Sequence, residues 1–162
     1  MFLYENKYEE FLFHKIDESD LLSGFLIGHL VIEHLLEEII TSYDPKLKSH
    51  FMSLSHSRKI ALINSLELIP DGVAVALQSI NKMRNKFAHE LGYEPNKGEL
   101  KNLVLKCKDN FNDLSDGLEQ LMGALEDCAN FQETYEKYGC GLTDLFIQVV
   151  YDLESYAQKS FS

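Results

Sequence analysis

The stretch from Leu21 to Ile40, LLSGFLIGHLVIEHLLEEII, decides the fold. Leu22, Phe25, Leu26, Leu30, Ile32, Leu35, Leu36, Ile39 and Ile40 recur at helical spacing and cover most of the circumference. A helix from about Asp20 to Tyr43 with that pattern has to sit at the centre of a bundle. It does not suit a membrane, because Gly24, Gly28, His29, Glu33, His34, Glu37 and Glu38 leave too many polar groups in hydrocarbon.

Working outward, the prolines, Pro45, Pro70 and Pro95, punctuate stretches of helical periodicity. Before the central helix, Phe2 to about Lys15 reads as a short helix with Phe2, Leu3, Phe11, Leu12 and Phe13 available for packing. After Pro45, Lys46 to Leu54 reads as a helical turn or loop, and Ser55 or Ser57 can cap a helix through about Leu66. Asp71 is positioned to cap the next helix, whose stripe runs through Val73, Ala76, Leu77, Ile80, Met83 or Arg84, and Phe87, with Gly92 as its natural stop. From Leu100 to Leu125 the apolar pattern continues for about seven turns, which predicts one long helix that protrudes or pairs. Gly139-Cys140-Gly141 interrupts the chain, and Leu142, Leu145, Phe146, Val149, Leu153 and Tyr156 form a last amphipathic helix. No strand pattern emerges. The expected fold is all-α: an up-and-down bundle of five or six helices in one domain over 1–162, extended by C-terminal helices from about 97 to 162.

The chain has 162 residues, 45% of them hydrophobic and 25% charged, the balance of a globular domain with one core. Cys107, Cys128 and Cys140 are odd in number and lack Cys-x-x-Cys spacing, so they read as reduced thiols packed on helix faces. The N-terminus Met1-Phe2-Leu3-Tyr4-Glu5 has no basic region or cleavage site, and the expected compartment is the cytoplasm, with no membrane association.

A net charge of −11 argues against a binder that coats duplex DNA with a basic surface. The charge is unevenly spread. Between Pro45 and His89 there are seven basic residues, Lys46, Lys48, Arg58, Lys59, Lys82, Arg84 and Lys86, against two acidic ones, Glu67 and Asp71. A locally positive cleft in an acidic protein can still draw in a phosphate chain. The other reading is two ordinary solvated helix faces.

Chemistry concentrates at Arg84-Asn85-Lys86-Phe87-Ala88-His89, in the last turns of a predicted helix. Asn85 and His89 are four residues apart and stand one above the other. Arg84 is turned from His89 by roughly 140° around the axis, so the pair converges only if the arginine curls over or the last turn loosens near Gly92. The same cations also suit a helix C-terminus, where they complement the dipole and cap carbonyls.

This segment resembles the signature of the HEPN family, Arg-(Asn, Asp or His)-x-x-x-His near the end of a late helix. Together with the glycine-punctuated helix from Gly24 to Ile40, Phe51 and the helix from Ser55 to Leu66, it is similar to small bacterial HEPN-like proteins. A more distant similarity extends to the mannitol operon repressor family, and the likeness covers roughly residues 20 to 95. The resemblance implies a homodimer and a metal-independent endoribonuclease, in which the ribose 2′-hydroxyl attacks and a cyclic phosphate remains. It implies His89 as acid or base, Arg84 on the phosphate, and Asn85 orienting His89 or donating to phosphate. Lys82, Lys86, Arg58 and Lys59 would hold flanking RNA. Such a protein serves as the toxin of a toxin–antitoxin or anti-phage system with an antitoxin partner. The alternative is a non-catalytic regulatory or interaction module on the same fold.

His29, Glu33, His34 and Glu37 form a second polar cluster on the central helix. Without a Glu-x-x-His pair or a matching half elsewhere, it predicts no metal and no cofactor. Glu33 or Glu37 is instead expected to face Arg84 or His89 as a supporting acid. His50 and His56 read as exposed polarity in the basic segment.

Overall fold

The structure, a computed structural model, describes residues 12, 15, 16, 20–112 and 116–159, and the described residues are all-helical. Eight α-helices lie among them: α1 (Leu21–Tyr43), α2 (Lys48–Met52), α3 (His56–Ser65), α4 (Asp71–His89), α5 (Lys97–Asn110), α6 (Gly117–Asp127), α7 (Phe131–Tyr138) and α8 (Leu142–Lys159). None is long and apolar enough to cross a membrane. Of the expected first helix, Leu12, Lys15 and Ile16 are described and helical, with Leu12 and Ile16 in the core. Phe2, Leu3, Phe11 and Phe13 lie outside the described residues.

Asp20 starts α1 by accepting the Ser23 N–H at 2.7 Å, a bond that also holds its carboxyl below the usual range. Phe25, Ile32, Leu35, Leu36, Ile39 and Ile40 are essentially fully buried, as a helix enclosed on most sides requires. Its main partner is α8, which supplies the equally buried Leu145, Phe146, Val149 and Leu153; α4, α3 and α2 pack around the remainder. Gly28 sets the spacing. A Cβ there would collide with the ring of Phe146, so the two helices approach as they do only because this position lacks a side chain.

Ser55 caps α3 through the Arg58 N–H, as its hydroxyl predicts. Asp71 does not cap α4. Pro70 occupies the cap position with no side-chain bond, and Asp71 becomes the first helical residue, its carboxylate accepting from Asn64 at 2.9 Å. The helix ends at His89, earlier than Gly92, which takes a left-handed conformation (φ +74) in the following turn.

The predicted seven-turn helix is two helices folded back on each other. The run Asp109-Asn110-Phe111-Asn112 brings together short polar side chains that compete with helical hydrogen bonds. Asn110 bonds back to the Lys106 carbonyl, Phe111 turns extended and buried, and the Asn112 N–H is taken by Asp152 of α8 at 3.0 Å. Leu114 lies outside the described residues. The hairpin is closed at its far end by Lys97, which donates to the Glu126 carbonyl at 2.6 Å, and by a Lys101–Glu126 ion pair at 2.8 Å. An Asn96–Glu99 capping box opens α5. Helix α7, capped by Asn130 and ended by Gly139 at φ +71, had no counterpart in the sequence reading. All three cysteines are free and buried, and burial pushes the Cys107 thiol up to about 12.

Gly28→Ala is expected to lower stability by about 1–3 kcal/mol, the usual cost of overpacking a core whose neighbours cannot yield. Urea unfolding of the two proteins measures it; an unchanged midpoint would show that the α1–α8 spacing is soft.

Candidate functional site

Met83 continues the core stripe of α4, and Arg84 beside it is half-buried toward α1 and α3. The guanidinium Nη1 donates to the Asn85 side-chain oxygen at 3.1 Å, and Nε is buried without a partner. Asn85 therefore holds Arg84, rather than orienting His89. His89 ends the helix exposed to solvent, while Arg84 turns inward, so the two do not converge within one chain. Arg84 acts instead on two other imidazoles.

Those are His29 of α1 and His56 of α3, whose rings stack at 3.9 Å between centroids and 39° between planes. His56, read from sequence as exposed loop polarity, is half-buried in this stack. Burial pushes both imidazoles down, with the Arg84 charge adding to the effect at His29 and the neighbouring His29 adding to it at His56; His56 falls to about 3. Each Nδ1 is buried and lacks a hydrogen-bond partner.

One turn along from His29, Glu33 accepts a 2.6 Å hydrogen bond from Lys59, one turn along from His56. Lys59 is 4% exposed and also lies over the Phe51 ring, so this expected phosphate-holding cation is internal and neutralised. Burial opposes the Glu33 charge, but the hydrogen bond and charge of Lys59 together prevail and hold the carboxyl below its ordinary value. The expectation that Glu33 or Glu37 would pair with Arg84 or His89 is thus replaced by salt bridges of Glu33 to Lys59 and of Glu37 to Lys48, the latter at 3.2 Å.

Of the other expected RNA contacts, Lys82 and Arg58 are exposed, while Lys86 is bound to Glu99 at 3.3 Å beside the Tyr93 ring. Tyr93 donates to the same Glu99 at 2.9 Å, which fastens the end of α4 to the start of α5. A cleft of about 580 Å³ opens beside Phe87 and Tyr93, and neither Arg84 nor the two stacked histidines line it. His56 and Lys59 share the face of Ile60 and Ile63 on α3, a spacing that marks them as inward-facing, although it does not say what they meet.

Two outcomes follow from this geometry. Below the ordinary imidazole value of 6.5 an unfolded chain takes up protons that folded His29 and His56 refuse, so stability present above that pH falls progressively toward about pH 3. Urea midpoints measured from pH 7.5 to 4.5 should fall, and fall less steeply in His56→Gln; equal slopes would contradict the burial of this pair. Glu33→Gln strands the Lys59 charge and should cost about 2 kcal/mol, below the ~3–5 of a fully buried pair because Glu33 is partly solvated. The double variant with Lys59→Met should recover most of that loss in the same unfolding experiment.

Comparison of the chain with protein families, with curated proteins and with solved structures yields no match.

Proposed function

We propose that the protein is a HEPN-type endoribonuclease, a homodimeric up-and-down helical bundle that cleaves RNA without a metal. The observation that carries this reading is Arg84. No carboxylate among the described residues pairs with its half-buried guanidinium, although the chain carries a net charge of −11. A guanidinium with no carboxylate beside it among the described residues attracts an anion, and a phosphodiester suits its forked donors. Asn85 pre-orients that fork.

In the reaction, an imidazole takes the proton of the ribose 2′-hydroxyl as its oxygen attacks phosphorus. Arg84 bears the charge gathering on the phosphate oxygens, and a second imidazole protonates the departing 5′-oxygen, leaving a 2′,3′-cyclic phosphate. His89 is exposed for this work but angled away from Arg84 on its own helix, and a two-fold dimer supplies the facing His89 of the second copy. Exposed Lys82 and Arg58 would hold the flanking backbone. An RNA-cleaving protein of the cytoplasm needs restraint, so a toxin role with an antitoxin partner fits it.

One observation favours a second reading. Arg84 turns toward α1 and α3 while His89 stands in solvent, an arrangement that suits a non-catalytic regulatory or interaction module resembling the mannitol operon repressor.

Pure protein incubated with single-stranded RNA in EDTA distinguishes them. The enzyme should leave cyclic-phosphate ends, and His89→Ala and Arg84→Ala should each lower the rate by roughly 10²–10⁴-fold. RNA left intact by the wild-type chain would favour the module.

A further inference from the structure

We propose that His29, Glu33 and His56 form a binding site for a divalent ion of the zinc class, tying α1 to α3. One ligand atom from each residue lies within 4.8 Å of the others. Ligands on a tetrahedral ion with bonds of about 2.0–2.1 Å stand roughly 3.3 Å apart, so side-chain rotations closing at most about 1.5 Å complete the set. His29 and Glu33 project from successive turns of one helix, and His56 enters from the other, stacked on His29 at 3.9 Å. The expectation of no metal rested on the lack of a matching half for the cluster on α1. His56 is that half.

A second observation points to a ligand here. His29 is 5% exposed, and the Nδ1 atoms of His29 and His56 are buried with no hydrogen-bond partner. Buried nitrogens rarely stay unmatched, and a lone pair on neutral imidazole is a ligand for a metal.

The donor set also selects the ion. Two nitrogens and one carboxylate do not satisfy calcium or magnesium, which require several oxygens, whereas they match zinc and its neighbours. Lys59 takes one oxygen of Glu33 and leaves the other. The positive charges of Lys59 and Arg84 weaken cation binding relative to a neutral surrounding and favour an anion as the fourth ligand. Arg84, which carries the proposed RNA cleavage, lies beside this site, but the inference does not rest on that reading and its readout needs no RNA.

The full chain, stripped with EDTA and dialysed, is titrated with cobalt(II) and then zinc. One equivalent of cobalt should give the visible bands of a four- or five-coordinate ion, displaced by zinc, and zinc should raise the melting temperature. His56→Ala and Glu33→Gln should each weaken binding by more than about a hundredfold, and a variant with Cys107, Cys128 and Cys140 changed to Ser should keep it. In the wild-type chain, which removes any question of variant folding, zinc should shift the ring-nitrogen resonances of His29 and His56 and leave those of His34, His50 and His89 in place. Absence of stoichiometric binding, dependence on the cysteines, or shifts at the other histidines instead would overturn the proposal.

Discussion

A helix that is apolar around most of its circumference has to be enclosed, and enclosure traps whatever polar groups it carries. Helix α1 is such a helix, with α8 drawn against it at Gly28 and Phe146 and with α4, α3 and α2 around it. His29 is consequently brought inside and Glu33 to its margin, where an isolated charge or an unmatched nitrogen is costly. Helix α3 answers with Lys59 and His56 at matching heights, and α4 brings Arg84 to the same place. The polar cluster is thus a product of the apolar packing, and the three helices that build it cannot slide without breaking it.

Charge counted along the chain differs from charge counted in space. The segment from Pro45 to His89 is basic in sequence, yet three of its lysines find carboxylates from outside it: Lys48 with Glu37, Lys59 with Glu33 and Lys86 with Glu99. What survives as surface or near-surface positive charge is narrower: Lys46, Arg58, Lys82 and Arg84. Two of these, Lys82 and Arg84, lie on α4, while Arg58 stands on α3 and Lys46 in the turn before α2, so the pull on a polyanion rests on four cations rather than on the seven counted along the chain.

Helices α1, α3, α4 and α8 were legible because each combines a periodic stripe with a cap or break that acts locally: Asp20, Ser55, Pro70 and the Gly139–Gly141 pair. The break after Asn110 was not. Apolar spacing continues across it because both arms of the hairpin face the same core, and the short polar run from Asp109 to Asn112 ends the helix together with a long-range partner, the Asp152 carboxylate holding the Asn112 N–H. The site divides in the same way. Arg84 and Asn85 stand out from their neighbours on one helix, whereas the union of His29 with His56 depends on how α1 crosses α3, and no local spacing encodes a crossing.

Cys107 lies on α5 with no surface in solvent and its thiol held at about 12, far from the reactive thiolate form. An alkylating reagent meets this sulfur only when the bundle opens. Its labelling rate is therefore a native clock for breathing of the α5 region, supplied by the chain itself and needing no engineered reporter.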